Sequence, residues 1–311
     1  MKLITKPDTS SRRIAAVGMY DGVHLGHRYL IDYLAVEARA RGLRPAAVTF
    51  SRHPLSLVRP LEAPALLSTL EDRVTALGNA GAEDVILLSF NDKLRRLSAK
   101  EFLRLLHQSF GIEALVLGFN NRFGSDLNEG LESYRSLGRE VGVEVIQAPE
   151  YKGPGAPISS SAIRRLLVDG KPSEAAALLG GYYALRGKVV SGNQLGRSIG
   201  FATANLEPSD PAMLIPKPGA YAAWVTTPDG ERRMAMVNIG YRPTFASDST
   251  PTDSRLTIEA HILDYTGYLY DEEIAIEFVS YLRPEQRFDS TDKLRARLEA
   301  DRQAVRKTLS K

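Results

Sequence analysis

Between Arg13 and about Leu179, short apolar runs alternate with helix-patterned segments, and this alternation constrains the fold more than any other feature. Ile14–Val17, Pro45–Phe50, Val85–Leu88, Ala114–Leu117 and Glu144–Ala148 read as strands bounded by turn residues. Short, continuously apolar runs are what strands covered on both faces require. Between them, Leu25–Arg41 reads as a helix stopped by Gly42, and Thr69-Leu70-Glu71-Asp72 caps a helix ending near Gly81. Ser98-Ala99-Lys100-Glu101 is a capping box for a helix running to Phe110, and another helix spans about Leu131–Val141. The series predicts an α/β domain with a doubly wound parallel sheet, whose ligands sit outside the carboxyl ends of the strands. A helix-like pair, Ala162–Val168 and Ser173–Leu179, leads to Gly180-Gly181, which marks the expected boundary between domains of residues 1–181 and 182–311.

Beyond that boundary the pattern changes. Leu185–Val190, Tyr221–Thr227, Met234–Ile239, Leu256–Leu263 and Ile274–Tyr281 are strand-like, separated by Gly, Pro and Asp turns with no helix between them. Such a succession predicts a small antiparallel β-barrel, followed by a terminal helix from about Thr291 to Leu309. A length of 311 residues suits two domains, and 43% hydrophobic content suffices for two cores. Net charge is only +3, with no long basic block and no aromatics interleaved with Lys and Arg, so no nucleic-acid partner is expected. The chain has no cysteine, which excludes disulfides and thiolate metal sites. Polar residues at Met1–Arg13 and the lack of a long apolar span give no membrane partner and a cytoplasmic expectation. Nothing in the sequence sets the oligomeric state, which is left unknown.

The densest stretch follows the first strand: Val17-Gly18-Met19-Tyr20-Asp21-Gly22-Val23-His24-Leu25-Gly26-His27. Gly18, Gly22 and Gly26 allow the backbone to approach a ligand closely. His24 and His27, three apart, share one face once a helix begins. That face lies at a helix N-terminus, where free N–H groups and the dipole favour an anion. Two imidazoles beside such a pocket suit phosphate chemistry, which asks mainly for in-line positioning and charge stabilisation. Metal ligation by the same pair is the weaker reading, because no Cys or Glu lies at ligand spacing. Further candidates also follow strands: His53 in Thr49–Pro54, Asn120 in Gly118–Gly124, and Ser159, Ser161 and Arg164 in Ile158–Arg164. Hydroxyls at a helix start commonly act as caps, and an arginine one turn in can add a charge-assisted phosphate contact.

A second dense stretch, Ser191–Asn205, carries Gly192, Gly196 and Gly200 with Arg197 between them. Successive N–H groups in such loops form anion-binding nests. Thr203 and Asn205 alternate, so in an extended segment both side chains point the same way and offer the hard oxygens that Mg²⁺ accepts.

These stretches resemble known signatures. Gly18–His27 is similar to the G-x-F-D-G-x-H-x-G-H motif of a nucleotidyltransferase superfamily, with Tyr20 for Phe. Thr49–Pro54, Gly118–Gly124 and Ile158–Arg164 resemble the T-F-x-x-H-P, G-x-N/D-F-x-F-G and I-S-S-T-x-I-R segments of bacterial FAD synthetases, with Asn121 for Phe and Ser161 for Thr. Gly196–Asn205 resembles the G-R-x-x-G-F-P-T-A-N signature of riboflavin kinases, with Ala202 for Pro. Pro218–Ala222, Asn238–Phe245, Ile258–Asp264 and Leu282–Phe288 resemble further segments of that family in the same order, with Arg287 for Lys. Together the two halves resemble the prokaryotic bifunctional riboflavin kinase/FMN adenylyltransferases.

The resemblance implies an enzyme with two reactions and two ATP sites. The C-terminal half would phosphorylate riboflavin to FMN, with Thr203 and Asn205 on Mg²⁺, Glu259 as base, and Asn238, Arg287 and Phe288 on the flavin. His261 would be a neighbour of the base. The N-terminal half would join FMN to a second ATP, giving FAD and pyrophosphate. His24 and His27 would stabilise the transferred charge, assisted by Asn120, Ser159 and Arg164. Gly18, Tyr20, Asp21, Gly22, Gly26, His53 and Ser161 would shape that nucleotide site, as Gly192, Gly196, Arg197 and Gly200 would shape the kinase site. Two alternatives stand beside this: a riboflavin kinase with an impaired transferase half, and a flavin-binding protein without catalysis.

Overall fold

The computed structural model describes residues 1–118, 122–126, 130–153, 158–192, 200–243 and 254–310. Packing divides the chain into two compact units, Met1–Ser159 and Ser160–Lys311.

The first unit is built on a six-stranded parallel sheet of order β1-β4-β3-β2-β5-β6. Its strands are β1 (Lys2–Ile4), β2 (Arg13–Val17), β3 (Arg44–Phe50), β4 (Asp84–Leu88), β5 (Ile112–Leu117) and β6 (Glu144–Gln147). The chain winds from β2 outward to β3 and β4, then returns to lay β5 on the other side of β2. The crevice at the carboxyl ends of β2 and β5 is therefore the switch point at which α/β sheets bind ligands.

Alternating side chains of β2 serve opposite cores. Ile14 and Ala16 pack with Leu30, Ile31 and Leu34 of α1 (Leu25–Arg41) and with Val74 and Leu77 of α3 (Leu70–Asn79). Ala15 and Val17 pack with Phe102, Leu103 and Leu106 of α5 (Ala99–Phe110) and with Tyr134 of α6 (Leu131–Val141). Two short helices, α2 (Pro54–Val58) and α4 (Asp92–Arg95), follow β3 and β4. The capping box expected at Ser98 is formed, with Glu101 closing on the Ser98 backbone. Gly111 hands α5 over to β5 at φ 63, where a Cβ would lie 2.5 Å from the Ser11 carbonyl.

At the amino ends of the strands the sheet is locked by a buried ionic cluster. Arg13 donates to Asp84 at 2.7 Å and to the carbonyls of Asp8, Ser11 and Phe110, and Arg44 reaches Asp84 from outside at 2.9 Å. Neither Arg13 nor Asp84 is exposed to solvent.

In the second unit, α7 (Ser160–Val168) and α8 (Pro172–Leu179) precede a closed antiparallel barrel of order β10-β11-β8-β7-β12-β9. Its strands are β7 (Tyr183–Val190), β8 (Ala204–Pro208), β9 (Gly219–Thr226), β10 (Arg232–Pro243), β11 (Ser254–Ile262) and β12 (Glu273–Arg283). Ser173 of α8 donates to the Val279 carbonyl of β12, and the Lys217 amide bonds to the Leu167 carbonyl at the end of α7. The helix pair therefore packs with the barrel, and the packing division falls before it rather than at the expected Gly180-Gly181. A terminal helix, Thr291–Leu309, lays Val305 and Leu309 on Phe201, Ala222 and Met236. No helix among the described residues is long and apolar enough to cross a membrane.

The ionic cluster makes a testable contribution. Burial pushes the Asp84 pKa up, but the hydrogen bonds from Arg44 and Arg13 outweigh it and hold the carboxyl below its ordinary value. A folded value below the unfolded one gives stabilisation that is complete above about pH 4 and lost as pH falls through the lowered value. Asp84→Asn leaves Arg13 buried without its counter-ion. It is expected to cost about 3–5 kcal/mol at neutral pH and to flatten the acid limb of the stability–pH curve, as measured by urea unfolding.

Candidate functional site

The loop after β2 is held in a conformation that side chains resist. Tyr20 has φ 53, Gly22 φ 79 and Val23 φ 35, and positive φ is unusual for an aromatic and a β-branched residue. Such strain persists where surrounding contacts over-determine it. Asp21, almost fully buried, accepts the Leu67 amide at 2.9 Å and the Ser68 amide at 3.1 Å. The Gly22 amide in turn donates to the Ser68 hydroxyl at 3.0 Å. Arg73 of α3, also buried, donates to the carbonyls of Met19 at 3.1 Å and Phe50 at 3.0 Å, tying the ends of β2 and β3 together. Burial lowers the Arg73 pKa and the Asp21 charge opposes that shift. A guanidinium stays protonated regardless.

So fixed, the loop enters α1 with His24 as N-cap. His24 Nδ1 accepts the His27 amide at 3.3 Å, which leaves the proton of the neutral ring on Nε2. The two imidazoles stack with centroids 3.6 Å apart and planes 14° from parallel. Burial, with the neighbouring His24, holds the His27 pKa well below the ordinary histidine value. The first turn of α1 carries no acidic residue, so its dipole is open to an anion. Neutral N–H donors at a helix N-terminus can stabilise charge on phosphate oxygens.

The other N-terminal candidates are placed as follows. Gly18 lies against the Tyr20 ring, where a Cβ would approach to 3.0 Å, and Gly26 adjoins the His24 ring. His53 caps α2, its Nδ1 accepting the Leu55 amide at 3.2 Å. Ser159 precedes α7, while Ser161 and Arg164 lie within α7, in the second compact unit. Asn120 and Asn121 lie outside the described residues, and Phe123 beside them packs on Tyr134 with ring centroids 4.5 Å apart.

In the barrel, strand register assembles the second set. Asn205 of β8 pairs with Glu259 of β11, which pairs on its other side with Asn238 of β10. Directly opposed residues share a face, so the three form one row across adjacent strands. Thr203 Oγ1 donates to the Glu259 carboxylate at 3.3 Å. His261, two residues along the same face, holds its Nδ1 at 2.8 Å from the Ala202 carbonyl. That bond restrains the position at which the kinase signature has proline. Gly192 admits the Asn205 amide, which a Cβ there would meet at 2.1 Å. Gly200 has φ 85 at the end of the loop, while Gly196 and Arg197 lie outside the described residues. Exposed Arg287 and half-buried Phe288 sit in the segment after β12, where the Glu285 carboxylate accepts the Tyr241 amide at 3.4 Å.

Sequence reasoning missed two features. Arg73 falls on the apolar stripe of α3, three residues after Leu70 and four before Leu77, and a charge in that register is a sign of a buried polar contact. A pocket lined by Thr203, Ala204, Tyr265, Tyr268 and Tyr270 opens beside the Thr203 loop. Its signal was three tyrosines within six residues of a turn.

Comparison with known proteins shows the family. A family model described as FAD synthetase matches residues 6–162, and one described as riboflavin kinase matches residues 179–309. The bifunctional riboflavin kinase/FMN adenylyltransferase of Listeria monocytogenes is 33% identical, over 97% of this chain and 94% of its own. This chain belongs to that family. The Escherichia coli K12 member is 33% identical over 94% of this chain and 91% of its own. A solved structure described as a macrolide-efflux protein from Streptococcus pneumoniae shares the whole fold, with a TM-score of 0.86, 29% identity and 98% coverage of both chains. In this family member, the Gly18–His27 stretch lies in the first packing unit and Gly192–Asn205 with Glu259 in the second, while the Ile158–Arg164 segment crosses the division.

Removing the Asp21 carboxylate strands the buried Leu67 amide and the half-buried Ser68 amide. Asp21→Ala is expected to destabilise the N-terminal unit by about 1–3 kcal/mol per unpaired group, measured by denaturant unfolding.

Proposed function

We propose that this chain makes FAD from riboflavin in two ATP-consuming steps, one in each half. Residues 182–311 carry the kinase and residues 1–181 the transferase. The helix α7 is counted with the transferase because Ser161 and Arg164 serve it in this reading. The observation that carries the proposal is the pairing of a stacked His24–His27 couple at a helix N-terminus with the Asn205–Glu259–Asn238 row on the barrel.

In the kinase step the ribityl hydroxyl of riboflavin attacks the γ-phosphorus of ATP, and ADP leaves. Glu259 accepts the hydroxyl proton. Asn238, Arg287 and Phe288 hold the flavin, and the tyrosine-lined pocket beside Thr203 receives the purine ring. Gly192, Gly196, Arg197 and Gly200 wrap the phosphates. The donors fit Mg²⁺: Thr203 and Asn205 supply hard oxygens next to a carboxylate. Among the described residues there is no cluster of acidic residues or histidines that would cage a metal without the nucleotide's own oxygens. When bound, Mg²⁺ would neutralise charge on the transferring phosphate.

In the transferase step a phosphate oxygen of FMN attacks the α-phosphorus of a second ATP, and pyrophosphate leaves. His24 and His27 donate N–H bonds to the phosphate oxygens as charge shifts, and Asn120, Ser159 and Arg164 add donors. Gly18, Gly22 and Gly26 let the backbone close on the nucleotide. Asp21 and His53 serve through the loops they fix. The kinase step takes ATP and riboflavin and the transferase step ATP and FMN, all small-molecule substrates, and the ATP demand supports a cytoplasmic setting.

Two variants separate the steps. Glu259→Gln is expected to lose at least about a hundred-fold in FMN formation while still converting supplied FMN to FAD. His27→Ala is expected to show the reverse, stopping at FMN. Equal loss of both activities in either variant would contradict the assignment. Because the His27 pKa is held well below the ordinary histidine value, protonation of His27 is expected to reduce kcat/KM for ATP in the transferase step only well below pH 6.5, as read from the change that His27→Gln makes in the pH profile.

A further inference from the structure

Three polar atoms in the N-terminal site are buried and have no hydrogen-bond partner among the described residues: the Tyr20 hydroxyl, His27 Nδ1 and Arg73 Nε, of which the first two belong to rings in contact. The Tyr20 residue is 1% exposed, and its ring meets that of His27 edge to face with centroids 5.2 Å apart. Buried polar atoms are nearly always satisfied, so two orphans in one ring contact call for an account. Burial pushes the Tyr20 pKa far up, so the phenol remains an O–H donor throughout the working pH range. Its backbone, at φ 53, and the close approach of Gly18 hold the ring in place.

The two orphans are chemically complementary. A neutral imidazole carries its single proton on either nitrogen, and the partner of one nitrogen decides where that proton sits. If His27 is to donate to a phosphate from Nε2, its Nδ1 must be a bare acceptor. Tyr20 offers the donor that such an acceptor needs. The signature that this stretch resembles has Phe at the same position, so the hydroxyl is a feature of this chain.

We propose that Tyr20 is a positioning residue of the transferase site. Its hydroxyl donates through one buried water to His27 Nδ1, and so fixes the tautomer that presents Nε2–H to the ATP phosphates. The inference rests on reading the N-terminal half as the adenylyltransferase.

The test compares full-length wild type with Tyr20→Phe, a change that preserves ring shape and removes an unpaired buried group. Nitrogen-15 NMR of the imidazoles is recorded with and without Mg²⁺ and a non-hydrolysable ATP analogue. Wild-type His27 is expected to show a single Nε2–H tautomer with the analogue bound, and Tyr20→Phe a mixture of tautomers. Adenylyl transfer is expected to fall by roughly ten-fold in kcat, as for loss of one hydrogen bond, with KM for ATP and kinase activity unchanged. Identical His27 signals in the two proteins would overturn the proposal. So would a raised KM for ATP with unchanged His27 signals, which would place the hydroxyl on the nucleotide itself. Failure of the wild type to form FAD would instead defeat the transferase reading, while the tautomer comparison would still decide the role of Tyr20.

Discussion

The Asp21 carboxylate accepting the Leu67 and Ser68 amides is the contact on which the N-terminal site depends. It fastens a backbone with positive φ at Tyr20 and Val23 to the segment that opens α3, and Arg73 fastens the same loop from further along that helix. Without these ties the loop could relax toward ordinary dihedrals, and His24 would no longer cap α1 with its ring stacked on His27. The acid and the guanidinium both bond to backbone. Their effect is to leave two neutral imidazoles in one geometry before a nucleotide arrives, which is what charge stabilisation without reorganisation requires.

The barrel reaches a comparable end by another route. There antiparallel register sets Asn205, Glu259 and Asn238 side by side across β8, β11 and β10. His261 performs the tethering, binding the Ala202 carbonyl so that Thr203 stays near Glu259. The two units thus carry different polar groups: stacked imidazoles on one, hydroxyl and amide oxygens beside a carboxylate on the other. In the proposed assignment that difference suits the two reactions, since one needs a leaving pyrophosphate stabilised and the other a hydroxyl proton removed.

Much of this was legible in the sequence. The strand–helix alternation announced the parallel sheet because each buried strand had to be short and apolar on both faces, and the barrel followed from strands without intervening helices. What escaped was governed by long-range pairing. β1 is only Lys2–Ile4, too short to show a period, and exists because β4 offers it an edge. β8 carries Asn205 and begins within the second glycine-rich stretch, whose composition suggested a loop. Asp21 reads as a site residue in a motif, yet its carboxylate bonds to amides 46 and 47 residues away, which no local pattern reveals. His53 likewise shows as a helix cap in the fold. The helix pair after Ser159 packs with the barrel through Ser173 and Leu167, contacts that a Gly-Gly punctuation cannot announce.

The central claim is that two separate phosphate sites in one chain act in succession on one flavin. Following riboflavin, FMN, FAD, ADP and pyrophosphate together, after mixing the purified chain with riboflavin and MgATP, tests it most directly. The account predicts that FMN rises and then declines as FAD accumulates, with one ADP and one pyrophosphate released for each FAD. Accumulation of FMN with ADP alone, or an unchanged mixture, would contradict it.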